Sequence, residues 1–233
     1  MLGRIMRVLR EELPDALSPR YWYHQFLRWK IHRVCIGYSG RRHWRFWKEL
    51  LYWRRPRKML ILGVYFGRDI AYLLELRKQT GSICEIVGVD KFEDRFCDDW
   101  PEDLRGKNWA EAGFGKAPSL QAANRNLSRL GHDLSCVRLV SSRAEDFLRE
   151  SDEQFDFIYI DTAHDYQSTV EIIGLCMPRL APGGLIGGDD FSDQGTWGVV
   201  TAVKECFSRF TTFGNSQIWM AEGLDWKGAP PPA

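Results

Sequence analysis

The sequence predicts a three-layer α/β sandwich built on a mostly parallel sheet, and residues 58–207 carry the evidence for it. Short apolar runs such as KMLILGV, EIVGVD and CVRLV alternate there with segments of helical pattern. Continuous apolar runs are typical of parallel strands that are buried on both faces. Alternation of strands and helices with short joints places helices on both sides of one sheet.

The stretch 155–191 repeats this alternation most clearly, and its residues are FDFIYIDTAHDYQSTVEIIGLCMPRLAPGGLIGGDDF. It reads as buried strand, polar loop, helix and second buried strand. Pro182, Gly183 and Gly184 predict a turn into the second of these strands. If the two strands are parallel, the polar residues after each of them meet at one edge of the sheet, where open α/β sheets bind ligands.

The other elements follow from spacing and from helix-end signals. We expect a helix over 68–78, and a second that Ser119 opens and Gly131 ends. A third helix is expected over 197–207, and an antiparallel strand pair over 210–213 and 217–221. The polar segment 91–118 is too long for an ordinary turn, so we interpret it as a lid or substrate loop.

Residues 1–57 predict two or three short amphipathic helices with arginine-rich outer faces. Proline and glycine residues punctuate the segment. Three sets of apolar residues recur there at helical spacing: Leu2, Ile5 and Leu9; Trp22, Phe26 and Trp29; Trp44, Trp47 and Leu51. We therefore divide the chain into a basic, Trp-rich helical extension (1–57), an α/β domain (58–225) and a disordered tail (226–233).

Composition limits the class of protein. The chain has 233 residues, and its 44% hydrophobic content excludes general disorder. No apolar run approaches the length of a membrane span, and the first dozen residues lack the apolar core of a secretory signal. The six cysteines contain no CxxC pair. We expect buried free thiols and a cytoplasmic location.

Charge is distributed unevenly along the chain. Residues 1–58 contain 15 Lys/Arg against four acids, whereas the remainder contains 17 bases against 27 acids. Three interpretations of the basic segment stay open. The first is a helical cap on the site. The second is a patch for an anionic acceptor or an acidic lipid surface, and the third is a nucleic-acid surface. Its aromatic residues also allow pairing with a second copy of the chain.

A first group of candidate site residues follows the first three strands. Gly63 and Gly67 flank the turn Val-Tyr-Phe, where glycine allows close approach of a ligand to a helix N-terminus. Asp90 ends the second strand, where an acid accepts the ribose hydroxyls of an adenosine cofactor. Ser142, Arg143 and Ala144 follow the third strand at the same edge and are placed to border an adenine ring.

A second group lies after the fourth and fifth strands. Asp161, Asp189 and Asp190 offer the oxygen ligands that Mg²⁺ or a similar divalent cation prefers. His164 is a candidate general base, with Asp165 as a candidate to orient it. The alternatives are a loop-capping role for Asp161, solvated strand-end aspartates and a packing role for His164.

Taken in order, the motifs ILGVYFGRD, EIVGVD, FDFIYIDTAHDYQ and LAPGGLIGGDDF resemble class I S-adenosylmethionine-dependent methyltransferases. They are most similar to the small-molecule O-methyltransferases with Asp-x-x-His-x-Tyr and Gly-Asp-Asp after the fourth and fifth strands. The resemblance covers about residues 58–221. It implies a Rossmann-like, seven-stranded sheet with one antiparallel strand. Two positions depart from the family pattern: Ile61 replaces an acid, and Tyr65 replaces a glycine.

The resemblance also implies a function and a site. S-adenosylmethionine is expected to contact Gly63, Tyr65, Gly67, Asp90, Ser142, Arg143, Ala144 and Asp161. We expect methyl transfer to a hydroxyl of a small molecule, such as a sugar or natural product, with His164 and Asp161 as catalytic residues and a cation at Asp161, Asp189 and Asp190. Two alternatives stay open: an RNA-directed ribose methyltransferase and a non-catalytic binding protein.

The loop 91–118 adds three aromatic residues to the candidate site. Trp100, Trp109 and Phe114 are spaced along a segment that follows Asp90 directly. They either wall an apolar or aromatic acceptor or form a small core within the loop.

Overall fold

Seven strands form one sheet in the computed structural model, which describes residues 19–96, 102, 104–162, 164–195 and 197–228. They are β1 (Lys58–Leu62), β2 (Glu85–Asp90), β3 (Val137–Ser141), β4 (Phe155–Ile160), β5 (Leu180–Gly188), β6 (Thr211–Thr212) and β7 (Trp219–Glu222). Their order is β3-β2-β1-β4-β5-β7-β6. Strands β1 to β5 pair in parallel, and β7 is antiparallel to both neighbours. The predicted sheet, including its one antiparallel strand, is confirmed.

Seven α-helices accompany the strands within the described residues. They are α1 (Pro19–Val34), α2 (Arg41–Glu49), α3 (Arg68–Thr80), α4 (Leu120–Arg129), α5 (Ala144–Glu150), α6 (Tyr166–Cys176) and α7 (Val199–Cys206). A π-helical turn (Leu50–Arg54) follows α2, and short 3₁₀ turns occupy Met177–Arg179 and Gly223–Asp225. None of these helices has both the length and the apolar character needed to cross a membrane.

The helix ends follow the signals in the sequence. Ser119 caps α4, because its side chain accepts the backbone N–H of Ala122 at 3.1 Å. Gly131 follows that helix with φ +74°, a left-handed conformation that glycine adopts at little cost. Asp165 caps α6, where Oδ1 accepts the N–H of Ser168 at 3.0 Å. Pro19 is the first residue of α1, a position where its missing N–H costs nothing.

Helices cover both faces of the sheet, as predicted. Buried residues of α1 to α4 form one core with the first face, and those of α5 to α7 form a second core with the other. Trp47 of α2 packs edge-on against Tyr159 of β4 at 4.6 Å between ring centroids. The described part of the N-terminal extension therefore belongs to a helical layer of the fold.

Helix α1 differs from the predicted pattern. Leu27 and Ile31 face the core, whereas Trp22, Phe26 and Trp29 are each more than half exposed. The aromatic residues at helical spacing therefore form the outer face of the helix, for which the sequence predicted an arginine-rich surface. The set Leu2, Ile5 and Leu9 lies outside the described residues.

Two details concern the ends of the sheet. The predicted turn Pro182–Gly184 lies inside β5 as an irregularity, because Phe155 pairs with Leu180 while Phe157 pairs with Leu185.

Beyond β7, Lys227 donates its N–H to the carbonyl of Cys206 at 2.8 Å. The folded part of the chain thus extends into the segment predicted as tail.

Candidate functional site

The carboxyl ends of the central strands meet at one edge and carry most of the predicted site residues. Ile160 of β4 lies opposite Gly188 of β5 and is aligned with Leu62 of β1. The hydrogen-bond ladder continues past the strand ends. Asp161 donates its N–H to the carbonyl of Leu62, and Asp189 donates its N–H to the carbonyl of Ile160. The acids after β4 and β5 are therefore neighbours, as the sequence predicted.

A cavity of about 510 Å³ opens at this edge. Of the residues predicted for the cofactor, it is lined by Gly63, Tyr65, Asp90, Arg143, Ala144 and Asp161. The predicted catalytic and metal residues His164, Asp189 and Asp190 line it as well. Gly67 and Ser142 are not among the lining residues. The structure thus brings most of the two predicted groups to one space.

Gly63 occupies its position for a steric reason. Its φ is +96°, and a Cβ added there would lie 1.8 Å from the backbone oxygen of Asp161. Gly67 (φ +86°) starts α3, and its N–H is donated to the carbonyl of Val64 at 2.8 Å. Tyr65 between them adopts φ +53°, which a non-glycine residue rarely does. The turn is held tightly against the end of β4.

Asp90 holds this turn in place. Its Oδ2 accepts the backbone N–H groups of Val64 at 2.8 Å and Tyr65 at 2.7 Å, and its Oδ1 accepts that of Phe92 at 2.7 Å. A carboxylate offers about four acceptor positions, so about one is left for a ligand. The next loop joins at the same point, because Ser142 donates its N–H to the carbonyl of Asp90 at 3.0 Å.

Asp161, His164 and Asp190 form a compact group. One possible ligand atom from each lies within 4.8 Å of the other two. Nε2 of His164 is 2.7 Å from Oδ2 of Asp190, and Trp197 stacks on the imidazole ring at 4.7 Å. Among the described residues, this is the group close enough to share a cation, and Asp189 is not part of it. This group contains His164 where the predicted ligand set of Asp161, Asp189 and Asp190 contains Asp189.

Asp189 instead pairs with a residue that sequence reasoning missed. Nε2 of His43, on α2, lies 2.5 Å from Oδ2 of Asp189, and both side chains are mostly buried. Burial opposes protonation of His43. The hydrogen bond to Asp189 and the carboxylates of Asp69, Asp189 and Asp190 outweigh it and raise the pKa of His43. The helical extension therefore supplies a hydrogen-bond partner to an acid of this edge.

The surroundings of Asp161 disfavour its ionised form. Burial raises the pKa of its carboxyl well above the ordinary value, and the nearby carboxylates of Asp189 and Asp190 raise it further. Repulsion between neighbouring carboxylates is relieved by a shared proton or by a cation. The donor set of two carboxylates and one imidazole is chemically suited to a divalent metal.

Asp165 does not have the predicted orienting role. Its Oδ1 accepts the N–H of Ser168, and its Oδ2 is buried without a hydrogen-bond partner. The carboxylate that contacts the imidazole of His164 is that of Asp190. The physical reason is that Asp165 is used as the N-cap of α6.

A strap between α1 and α2 closes one side of the cavity. Ile36, Gly37, Tyr38 and Ser39 line it. The hydroxyl of Ser39 donates to Asp69, whose second oxygen accepts the indole N–H of Trp47 at 2.6 Å. Asp69 also lines the cavity. The sequence signal for Asp69 was its position in the first turn after Gly67, and none pointed to the strap.

Aromatic side chains form one wall of the cavity. Trp109 packs on Phe96 at 4.6 Å and on Tyr65 at 5.2 Å, and Tyr38 stacks on Tyr65 at 6.1 Å. Phe114 lies 5.6 Å from Phe96. Phe96, Trp109 and Phe114 line the cavity and also pack on one another. Contact of these rings with an acceptor stays a prediction. Trp100 lies outside the described residues.

Comparison with known proteins agrees with this architecture. The family model described as a methyltransferase domain matches residues 60–191, more than half of the chain. No curated protein is similar enough in sequence to count as a match.

Three solved structures share the fold at low identity. An O-methyltransferase from Bacillus cereus in complex with S-adenosylhomocysteine has a TM-score of 0.55 and 16% identity, covering 90% of this chain and 94% of that one. The calicheamicin methyltransferase CalS11 has a TM-score of 0.54 and 18% identity, with coverage of 93% and 85%. The O-methyltransferase TomG from Streptomyces achromogenes, in complex with S-adenosylmethionine, has a TM-score of 0.53 and 13% identity, with coverage of 82% and 87%.

These findings confirm the Rossmann-like fold and the enzyme class that the motifs predicted. Because the family model spans more than half of the sequence, the chain belongs to the methyltransferase domain family.

Proposed function

We propose that the protein transfers a methyl group from S-adenosylmethionine to a hydroxyl of a small molecule. The observation that carries this proposal is the continuity of the cavity. It joins the turn around Gly63 and Asp90 to the group formed by Asp161, His164 and Asp190. Its size falls within the range of small-molecule sites. The related folds solved with S-adenosylmethionine or its product support the choice of methyl donor.

The donor half of the cavity would hold the adenosine portion. Asp90 keeps about one acceptor position free, enough for one ribose hydroxyl. Arg143 and Ala144 would border the adenine, with Ser142 bracing their loop against Asp90. Gly67 acts by starting α3 in the required direction.

Another acid of the cavity, Asp69, can replace the carboxylate that the family pattern has at the position of Ile61. Ile61 is fully buried in the sheet and offers no polar atom to a ligand. Asp69 places a carboxylate in the cavity from the first turn of α3, where Trp47 and Ser39 fix it. We assign to Asp69 the recognition of the positively charged amino group of the donor, by charge complementarity.

The acceptor half provides proton removal. When bound, S-adenosylmethionine supplies an electrophilic methyl group on a positively charged sulfur, and the attacking hydroxyl must lose its proton. If Nε2 of His164 carries the hydrogen that bonds to Asp190, Nδ1 is the proton acceptor. Asp190 would then stabilise the imidazolium that forms, and Trp197 fixes the ring plane.

A divalent cation would use the same residues. Asp161, His164 and Asp190 would hold Mg²⁺ or a similar ion, which lowers the pKa of a bound hydroxyl. A neutral imidazole has only one nitrogen with an available lone pair, so His164 cannot bind a metal and also accept the proton. The metal requirement therefore decides which role His164 has.

The aromatic wall narrows the class of acceptor. The cavity that holds the acids is also lined by Tyr38, Tyr65, Trp109 and Phe114. Such rings bind the apolar face of a sugar or an aromatic natural product.

We propose a reducing, cytoplasmic setting, which is supported by the free cysteines Cys35, Cys84, Cys136, Cys176 and Cys206.

The test is transfer of an isotope-labelled methyl group from S-adenosylmethionine to a panel of hydroxylated sugars and phenols, with Mg²⁺ or with EDTA. We expect an O-methylated product that Asp161→Asn and His164→Asn each reduce by at least about 100-fold. Asp193→Asn is the matched control, because Asp193 is an exposed acid that hydrogen-bonds Thr201 and does not line the cavity. Donor binding without transfer to any acceptor would favour a non-catalytic binding protein.

A further inference from the structure

The outer face of α1 carries an exposed aromatic stripe. Trp22, Phe26 and Trp29 are spaced i, i+4 and i+7, so they project from one side of the helix. Each is more than half exposed, whereas Leu27 and Ile31 on the opposite side are buried. Helix α1 is therefore apolar on two sides. Within the part of the chain that the structure describes, the side with Leu27 and Ile31 is the one buried in the core.

Basic residues accompany the stripe. Arg33 continues it at the next turn, with its guanidinium 5.2 Å above the ring of Trp29, and Lys30 is exposed beside it. No acid occurs between Pro19 and Lys48, and residues 19–57 contain eleven Lys/Arg against one acid, Glu49. The stripe thus lies in a strongly basic surface segment.

We propose that this face docks the protein on an anionic lipid bilayer. Tryptophan and phenylalanine on one side of a helix, together with flanking lysine and arginine, suit the interface between headgroups and acyl chains. Anionic headgroups complement the charge of Lys30 and Arg33, and attraction of this kind contributes substantially for each basic residue near the surface. The inference does not depend on the acceptor assigned above.

Two other occupants fit the face less well. In a symmetric contact the same patch meets itself, so two copies of α1 would bring cations together with no acid on either helix to compensate. Single-stranded nucleic acid needs open ring faces for its bases. Trp29 is already stacked on Phe26 at 5.9 Å and covered by Arg33.

Docking through α1 would place the bilayer near the cavity, because α1 leads directly into the strap. The helix ends at Val34, and the strap that lines the cavity begins at Ile36, which is itself more than half exposed. A bilayer held by α1 would therefore lie close to the chain segment at the cavity wall. Amphiphilic acceptors concentrated in the bilayer would then be near the site.

Co-sedimentation of the full chain with vesicles tests the proposal. The vesicles are phosphatidylcholine alone, or phosphatidylcholine and phosphatidylglycerol in equal parts. We expect binding to the anionic vesicles, weakened by salt, with a blue shift of tryptophan emission. The triple change Trp22→Ser, Phe26→Ser, Trp29→Ser should weaken binding at least about tenfold. Lys30→Gln with Arg33→Gln should remove most of the preference for anionic vesicles.

The matched control is Tyr52→Ser with Trp53→Ser, which removes exposed aromatic residues outside α1. It should keep vesicle binding within about twofold of wild type, and circular dichroism should show every variant folded. Equal binding to both vesicle types, or unchanged binding of the triple variant, would overturn the proposal. It would also be overturned if the triple variant turned a sedimenting dimer into a monomer, or if the face retained RNA but no vesicles.

Discussion

Nε2 of His43 and Oδ2 of Asp189 lie 2.5 Å apart, although 146 positions separate them in the sequence. The contact joins α2 of the basic extension to the carboxyl edge of the sheet. It engages the carboxylate of Asp189, and Asp161, His164 and Asp190 form the group, among the described residues, whose ligand atoms are close enough to share a cation. The extension thus contributes a hydrogen-bonding side chain to the candidate site.

We predict that His43 and Asp189 are energetically coupled. Removing either partner leaves a mostly buried charge or donor uncompensated, so His43→Ala and Asp189→Asn should each destabilise the protein by about 2 kcal/mol. The double variant should be about 1–2 kcal/mol more stable than additivity predicts. Urea denaturation of the four proteins at pH 7 measures this coupling.

The exposed pair Arg54 and Glu222 serves as the control cycle. Its atoms are 3.5 Å apart and both side chains are about half exposed, so its coupling should stay below about 0.5 kcal/mol. A similar coupling free energy for the two pairs would mean that the contact between His43 and Asp189 is no stronger than an exposed ion pair.

The two neighbouring aspartates after β5, Asp189 and Asp190, should differ in their contribution to metal affinity. Asp161→Asn and Asp190→Asn should weaken calorimetric binding of Mg²⁺ or Mn²⁺ at least about tenfold, because each removes a ligand. Asp189→Asn should change it by less than about threefold, since His43 already occupies that carboxylate. An equal loss for Asp189→Asn would restore the ligand set predicted from sequence, and the absence of binding to wild type would exclude the metal.

The two glycines of the β1–α3 turn should differ in their tolerance of alanine. A Cβ at Gly63 would lie 1.8 Å from the oxygen of Asp161, so Gly63→Ala should destabilise the protein by more than about 3 kcal/mol. The nearest atom to a Cβ at Gly67 is in Leu127 at 3.5 Å, which leaves the cost of the positive φ, about 1 kcal/mol. Thermal melts of both variants check this order.

The sheet edge could be predicted from the sequence because local signals determine it. Continuous apolar strands place Asp90, Asp161 and Asp190 at their carboxyl ends, whatever the rest of the chain does. His43 could not be found in this way, since its contact depends on how α2 packs against the sheet. The orientation of α1 was ambiguous because Leu27 and Trp29 belong to different apolar faces of one helix. Tertiary packing decided which face was buried.

Acid should destabilise the fold through His132. Burial, with Lys78 and Lys30 nearby, lowers the pKa of His132 to about 4, and both ring nitrogens are buried without a hydrogen-bond partner. The unfolded chain, with an ordinary pKa near 6.5, binds the proton more readily. The stability is therefore complete above about pH 6.5 and is lost as the pH falls toward 4.

At pH 5 this effect amounts to about 2 kcal/mol relative to pH 8. Denaturant titrations at the two pH values should show the difference, and His132→Leu should reduce it. If the pH dependence were the same in the variant, other groups would account for the acid sensitivity.

Binding of S-adenosylmethionine to the whole chain is the most direct measurement of what the cavity does. Calorimetric titration should give one site per chain, and Asp90→Ala should weaken it at least about tenfold by releasing the turn and removing the ribose acceptor. Asp156→Ala is the control, because Asp156 likewise accepts two backbone N–H groups, those of Arg57 and Lys58, at the opposite end of β1. It should leave the affinity within about twofold of wild type. No binding to the wild-type chain, or an equal loss in both variants, would contradict the assignment of this cavity to the methyl donor.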